Sequence, residues 1–221
     1  MRHLNRFLLV VFLTESTLLY VQTSQALFSD TAASSSNTFS ASLEFPTPTL
    51  SIANHLVINE VYYDVDASHT LDDENSSEWV EIYNPTSSSV DLTSWTIEDN
   101  NGSDSLTGSL SAGSFLILIA TDSASFQNIW SVPSGTNIFT VSGLIGGNFG
   151  LANDGDILTL KNNTVEIDKM SWEGNISGFL TGCAVSCPGV AEGHSLERNP
   201  NGYDTNDAND FDDTNPPTPG S

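Results

Sequence analysis

Positive charge is what this 221-residue sequence has least of. Five lysines and arginines stand against 28 aspartates and glutamates, a formal net charge of −23. Such a surface repels nucleic-acid phosphates and anionic lipid headgroups, which argues against DNA, RNA or acidic membranes as partners. It fits cation binding, a saline medium or plain solubility. Cysteine is nearly absent as well, and a lone pair, Cys183 and Cys187, fits one disulfide in an oxidising compartment. No Gly-x-Ser-x-Gly, glycine-rich phosphate loop or His-Glu-x-x-His occurs, so the sequence offers no recognisable nucleophile, phosphate cradle or zinc-protease helix. Nor is there an apolar run long enough to span a bilayer comfortably: Phe7 to Val21 is short and is broken at Thr14–Thr17.

What is present favours strands. Hydrophobic residues make up 38% of the chain and charged residues only 15%. Much of the rest is Ser, Thr, Asn and Gly, which suit turns better than helix interiors. At the start, Arg2, His3 and Arg6 precede the apolar runs Phe7–Leu13 and Leu18–Val21, and Ser24-Gln25-Ala26 supplies a small-x-small cleavage site. Residues 1–26 therefore read as a signal peptide, with Glu15 as a defect and an uncleaved anchor as the alternative. Loss of Arg2, Arg6 and Glu15 leaves 27 acidic and 3 basic residues, more lopsided than before. The stretch from Leu27 to Leu43 resembles the mature start of camelysin-type surface proteins, which adds to the expectation of export. Residues 27–53 form a Ser/Thr/Pro-rich linker, stiffened at Phe45-Pro46-Thr47-Pro48.

From Leu56 onward short apolar runs alternate with turn clusters, the pattern of a sandwich or barrel. Strands are predicted at Leu56–Tyr62, Glu78–Asn84, Val90–Glu98, Phe115–Ala120, Ile138–Val141, Asp156–Lys161 and Val165–Trp172. Leu92 and Trp95 are three apart, so a turn or bulge must separate them if both point inward. Phe115–Ala120 is apolar on both faces and is expected to be central and covered on each side. Gly143–Gly150 is too glycine-rich for regular structure, and a single helical turn is expected around Ala124–Trp130. Val80, Ile82, Leu92, Leu116, Leu118 and Leu158 are the predicted core.

Taken in order, Ile58–Val61, Glu78–Pro85, Val90–Ile97, Ala112–Leu116, Leu151–Asp156 and Val165–Asp168 resemble the lamin tail domain. His194–Pro200, with Asp204 and Asp210-Phe211, is similar to the closing stretch of bacterial members, so the resemblance covers about residues 54–219. It implies an all-β, immunoglobulin-like β-sandwich serving protein interaction, without catalytic residues. Ser94, where the family usually has glycine, and the Cys183–Cys187 insert depart from the pattern. The expected layout is a sandwich over residues 54–200 followed by an acidic tail over 201–221, where Asp204, Asp207, Asp210, Asp212 and Asp213 read as a frayed solubilising end.

Candidate chemistry is confined to a few places. Asp64, Asp66, Asp72, Asp73, Glu74 and Glu78 crowd an acidic loop and the strand entry behind it, a set that calcium would neutralise. The EF-hand template fails there, because His69 and Asn75 occupy the glycine and bidentate-glutamate positions; a solvated acidic loop is the other reading. Cys183 and Cys187 are expected to pair, since zinc would need two more ligands and His194 is the only histidine near in sequence. Glu60, Glu78 and Glu81 could in principle serve a carboxylate-only hydrolase, and Trp79, Trp95, Trp130 and Trp172 a sugar-stacking platform. The favoured function is a secreted or cell-surface, non-catalytic module for protein interaction, adhesion or extracellular structure. Its partner would be an unidentified extracellular protein or surface polymer, with no nucleic acid and no membrane span. The alternative is a secreted metal-dependent hydrolase or its accessory domain.

Overall fold

Side chains alternate across a strand with a period of two, so a half-buried strand shows one face to the core and one outward. That alternation organises the computed structural model, which describes residues 51–71, 73–142 and 150–221. The leader, the camelysin-like stretch, most of the linker, Asp72 and nearly all of the glycine-rich loop lie outside the described residues. The elements are β1 (Val57–Tyr62), β2 (Trp79–Tyr83), β3 (Val90–Asp91), β4 (Trp95–Glu98), β5 (Ser103–Ser105), β6 (Ser109–Leu110), β7 (Phe115–Ile119), α1 (Ser123–Ile129), β8 (Asn137–Thr140), β9 (Ile157–Asn162), β10 (Val165–Ser171), β11 (Ser195–Arg198) and β12 (Phe211–Thr214). They form a six-stranded sheet in the order β12-β11-β1-β2-β7-β8, a four-stranded sheet β10-β9-β4-β5, and the pair β3-β6. Among these strands every pairing is antiparallel except β7 with β8.

The two larger sheets share one core. Ile58, Val61, Val80, Ile82, Leu116, Leu118 and Leu196 from the first pack with Ile97, Leu158, Leu160 and Met170 from the second. All six predicted core residues are in it. The fold is thus the expected immunoglobulin-like β-sandwich. A register shift between Ile58 and Glu60 bulges β1 at Asn59 and sets Glu60 beside Glu81 on the outer face. On that face a second cluster gathers Tyr62, Trp79, Ile117 and Ile119 under Phe126 and Trp130. The central strand β7 is therefore covered on both sides. Helix α1 starts where the Asp122 carboxylate accepts the Ala124 and Ser125 amides at 3.0 and 3.1 Å, an ordinary N-cap.

Two expectations need correction. The predicted strand Val90–Glu98 is two strands, because Asp91 accepts the Thr93 amide at 3.0 Å and turns the chain. More consequential, the acidic end is not frayed. β12 pairs with β11 from Ser195↔Thr214 to Arg198↔Phe211, and a short 3-10 turn, Ala208–Asp210, leads into it. Asp210 is buried.

The reason is Arg198, the only arginine after Arg6. Its fully buried guanidinium donates to the Ile58 carbonyl at 2.8 Å, to the Tyr203 carbonyl at 2.7 Å and to both Asp168 oxygens at 3.0 and 3.1 Å. Asp204 and Asp210 approach it at 3.3 and 3.5 Å, and the Phe211 ring lies 4.5 Å from its central carbon. Three carboxylates from β10 and the closing segment thus converge on one cation. Removing one partner of a buried ion pair costs about 3–5 kcal/mol, whereas exposed pairs contribute about 0–1 kcal/mol. Urea unfolding of Arg198→Leu should show a loss of about 3–5 kcal/mol. Lys169→Ala, which removes an exposed bridge to Glu166, should change stability by less than about 1 kcal/mol.

Candidate functional site

The acidic loop does not close around one point. Asp66 accepts the Ser68 hydroxyl at 2.8 Å and the His69 amide at 3.1 Å, and also pairs with the His69 ring. Asp73 caps a local turn through the Ser76 amide at 2.8 Å. Asp64 and Glu74 do meet, because the Asn153 side-chain amide donates to both, at 3.2 and 2.6 Å. Asp72 lies outside the described residues. Among the described residues, no group of three Asp, Glu, His or Cys side chains is gathered to hold a metal ion.

Glu78, buried at the entry to β2, sits deeper. One oxygen accepts the Leu151 amide at 2.8 Å, and the other, Oε1, has no hydrogen-bond partner among the described residues. Four successive residues therefore serve four carboxylates. Gly150 packs on Glu78, the Leu151 and Ala152 amides reach Glu78 and Asp156, and Asn153 bridges Asp64 and Glu74. Gly150 has φ +56°, and a Cβ there would meet Asn75 Cγ at 2.6 Å and Glu78 Oε1 at 2.9 Å, so glycine is required. Sequence reasoning missed Asn153 as the partner of the acidic loop and Asp156 as the acceptor of the Ala152 amide. Their only signal was the turn chemistry of Asn153-Asp154-Gly155.

Two further buried carboxylates, Glu60 and Glu81, lie on the outer face of the six-stranded sheet. Glu60 on β1 stands opposite Glu81 on β2 and Glu197 on β11. Like charges side by side on neighbouring strands repel, and internal donors offset this. Glu60 accepts from the Ser195 hydroxyl at 2.5 Å and the Thr218 amide at 2.9 Å. Glu81 accepts from Asn59 at 3.0 Å and the Gly220 amide at 2.6 Å. These carboxylates hold the closing segment onto the sheet and face its backbone. The tryptophans also stand differently from a sugar platform. Trp79 and Trp130 are buried in the outer aromatic cluster, and Trp95 and Trp172 in the main core.

Beyond β10 a different surface appears. Residues 174–191 carry no charged side chain. Cys183 and Cys187 are joined in a disulfide, which removes the zinc reading. Of five exposed large hydrophobics among the described residues, Ile176, Leu180 and Val185 all lie in this loop, the last two 78% and 91% exposed. Its base is pinned. The Gly178 amide donates to Ser171 Oγ at 2.9 Å, the Cys187 amide to the Glu173 carbonyl at 2.9 Å, and Thr181 Oγ1 to Asp207 at 2.5 Å.

Burial raises the carboxyls of Asp64, Asp99, Asp156 and Asp168, and raises three glutamates further. Glu60 is pushed up to about 7 and Glu78 to about 9, in each case chiefly by desolvation; Glu81 is also raised well above the ordinary 4.5 by desolvation and by Glu60. A raised carboxyl binds its proton more tightly in the folded than in the unfolded chain. Its stabilisation is complete below 4.5 and is lost as pH rises through the folded value. The melting temperature should therefore fall between about pH 5 and about pH 9, and Glu60→Gln with Glu78→Gln should flatten that slope in calorimetry.

Residues 50–174 match the family model for the Lamin Tail Domain, more than half of the chain. The match stops short of the stapled loop, β11 and β12, a narrower range than the resemblance suggested. No curated protein matches the sequence, and no helix among the described residues is long and apolar enough to cross a membrane. Strand order, shared core and matched residues agree: the chain belongs to the lamin tail domain family.

Proposed function

We propose that this protein is a secreted or cell-surface, non-catalytic module that binds a protein partner or builds extracellular structure. The lamin tail domain is an immunoglobulin-like, non-enzymatic interaction module, and the finer reading rests on one observation. On a chain of net charge −23, the uncharged loop 174–191 holds three exposed aliphatic side chains on a pinned base, with Val185 inside the small ring that Cys183–Cys187 closes. Such pre-ordering lowers the entropy lost on binding. A disulfide also fits an oxidising compartment, in keeping with the leader-like first 26 residues. Peptide mapping of protein from its own host should find Leu27 at the N-terminus, and neither cysteine should label before reduction. An intact Met1 in the membrane fraction, or free thiols, would remove the export reading.

Calcium is the cation we propose for the acidic loop, with Asp64 and Glu74 as its first ligands. Support comes from the position of the Asn153 amide between these two carboxylates and from the unpartnered Glu78 oxygen nearby. Calcium would draw Asp64 and Glu74 together in place of that amide. Specific binding stabilises by about 2.7 kcal/mol at a hundredfold excess over the dissociation constant. Millimolar calcium should then raise the melting temperature even in high sodium chloride, magnesium should substitute poorly, and Asp64→Asn with Glu74→Gln should abolish the increment. A melting curve that ignores calcium in high salt would leave a solvated acidic loop.

A further inference from the structure

A row of carboxyls on the outer face of the six-stranded sheet lies under a short piece of chain. Glu60 on β1 is directly opposite Glu81 on β2 and Glu197 on β11, so the row crosses three neighbouring strands. Side chains paired in this way have Cβ atoms about 4.5–5.5 Å apart. Among the described residues no cation relieves the row, because the basic side chains pair elsewhere. Lys161 pairs with Glu98, Lys169 with Glu166, and Arg198 with Asp168, Asp204 and Asp210. The histidines pair with Asp204, Asp66 and Asp213.

Residues 217–221 lie over the row. Thr218-Pro219-Gly220-Ser221 is a β-turn in which proline presets the second position and Gly220 takes φ +89° at the third. The Ser221 amide closes it on the Thr218 carbonyl at 3.1 Å. The turn aims two backbone amides at the row, Thr218 at Glu60 (2.9 Å) and Gly220 at Glu81 (2.6 Å). The Thr218 hydroxyl lies between Glu60 and Glu197, at 3.3 and 3.1 Å. Pro217, Pro219 and Gly220 are buried, and a Cβ on Gly220 would meet Thr136 at 2.9 Å and Pro133 at 3.0 Å.

We propose that this turn is a pH-released strap, seated while Glu60 and Glu81 are protonated and lifted when they ionise, so that access to this face of the sheet depends on pH. While the strap is seated its amides favour the ionised carboxylates, but desolvation outweighs them at both positions, and the neighbouring glutamates add repulsion. Lifting lets water reach the oxygens and removes the burial cost of the charged form. The seated state therefore binds protons more tightly than the lifted state, and lifting releases them. Well below the ordinary 4.5 both states are protonated and pH has no effect. As pH rises through the seated value of Glu60, about 7, the lifted state gains, and Glu81 extends the gain upward. The titratable groups facing the two carboxyls are each other and Glu197, with Asp212 next in the row on β12. Residues 131–136, 199–201 and 215–221, with β7, bring no charged side chain. Arg198 anchors Tyr203, Asp210 and Phe211 from the other face of β11, so β12 stays paired when the strap lifts.

The strap depends on neither export nor calcium. Amide hydrogen exchange of the full chain measures it, as protection relative to the unstructured rate at each pH. From pH 5 to pH 8, protection at Thr218 and Gly220 should fall at least about tenfold more than protection at the β11 and β12 amides. Glu60→Gln with Glu81→Gln keeps an oxygen acceptor at each position and removes the ionisation, so strap protection should no longer fall with pH. Gly220→Ala strains the turn at φ +89° and crowds Thr136, so the strap should be lifted at every pH with β12 still protected. In that variant the Glu60 carboxyl carbon should titrate about one pH unit or more below its midpoint in the parent, toward the ordinary carboxylate range. This arm needs no glutamine variant and decides the matter if the double substitution does not fold. A clasp that is merely structural would give strap protection independent of pH in the parent, or strap and β12 amides that lose protection together. Either result would overturn the proposal. So would a glutamine variant whose strap loosens as the parent's does, or a Glu60 midpoint unmoved by Gly220→Ala.

Discussion

One guanidinium holds the end of this chain to its core. Arg198 lies in the last full-length strand before the closing segment, yet it binds β1 through the Ile58 carbonyl and β10 through Asp168. It binds the closing segment through the Tyr203 carbonyl and Asp204. Burying a cation is expensive unless its donors are satisfied, and here carbonyls and carboxylates surround the guanidinium. With Arg198 in place, residues 203–214 can lie against the sandwich and β12 can complete the sheet. The Thr218 and Gly220 amides then reach Glu60 and Glu81, so the closing segment is fastened at two separate points.

The same economy of positive charge explains the treatment of acidic groups elsewhere. With so few cations, most buried carboxylates accept from neutral donors: backbone amides at Leu151, Ala152, Thr218 and Gly220, the Ser195 hydroxyl and the Asn59 side-chain amide. Burial outweighs these donors, as it outweighs Arg198 at Asp168, and the carboxyls of Glu60, Glu78 and Glu81 are raised.

Much of the sandwich was legible in the sequence, because it rests on local alternation. Val80 and Ile82 share a face in any extended strand, and Phe115–Ile119 is apolar on both faces wherever it lies. The bend at Asp91 was visible in the spacing of Leu92 and Trp95. What escaped was set by contacts distant in sequence. Asp204 and Asp210 look like solubilising residues until Arg198 is placed against them, and no periodicity reports that. Ser103–Ser105 is polar, and it forms β5 because β4 offers a partner edge. In the acidic loop the crowding of carboxylates was plain, but Asn153 lies 89 residues beyond Asp64 and carries no signal of that contact. The exposure of Val185 was likewise invisible, since apolar residues are expected inside.

The closing segment is part of the folded core. Native-state hydrogen exchange of the full chain reads this directly, because amides held by the global fold exchange only on global unfolding, while those in frayed ends exchange at once. The β12 amides and the Asn199 amide bonded to the Asp210 carbonyl should be protected as strongly as those of β1 and β2. Fast exchange from residue 201 onward, with β1 and β2 still protected, would contradict it.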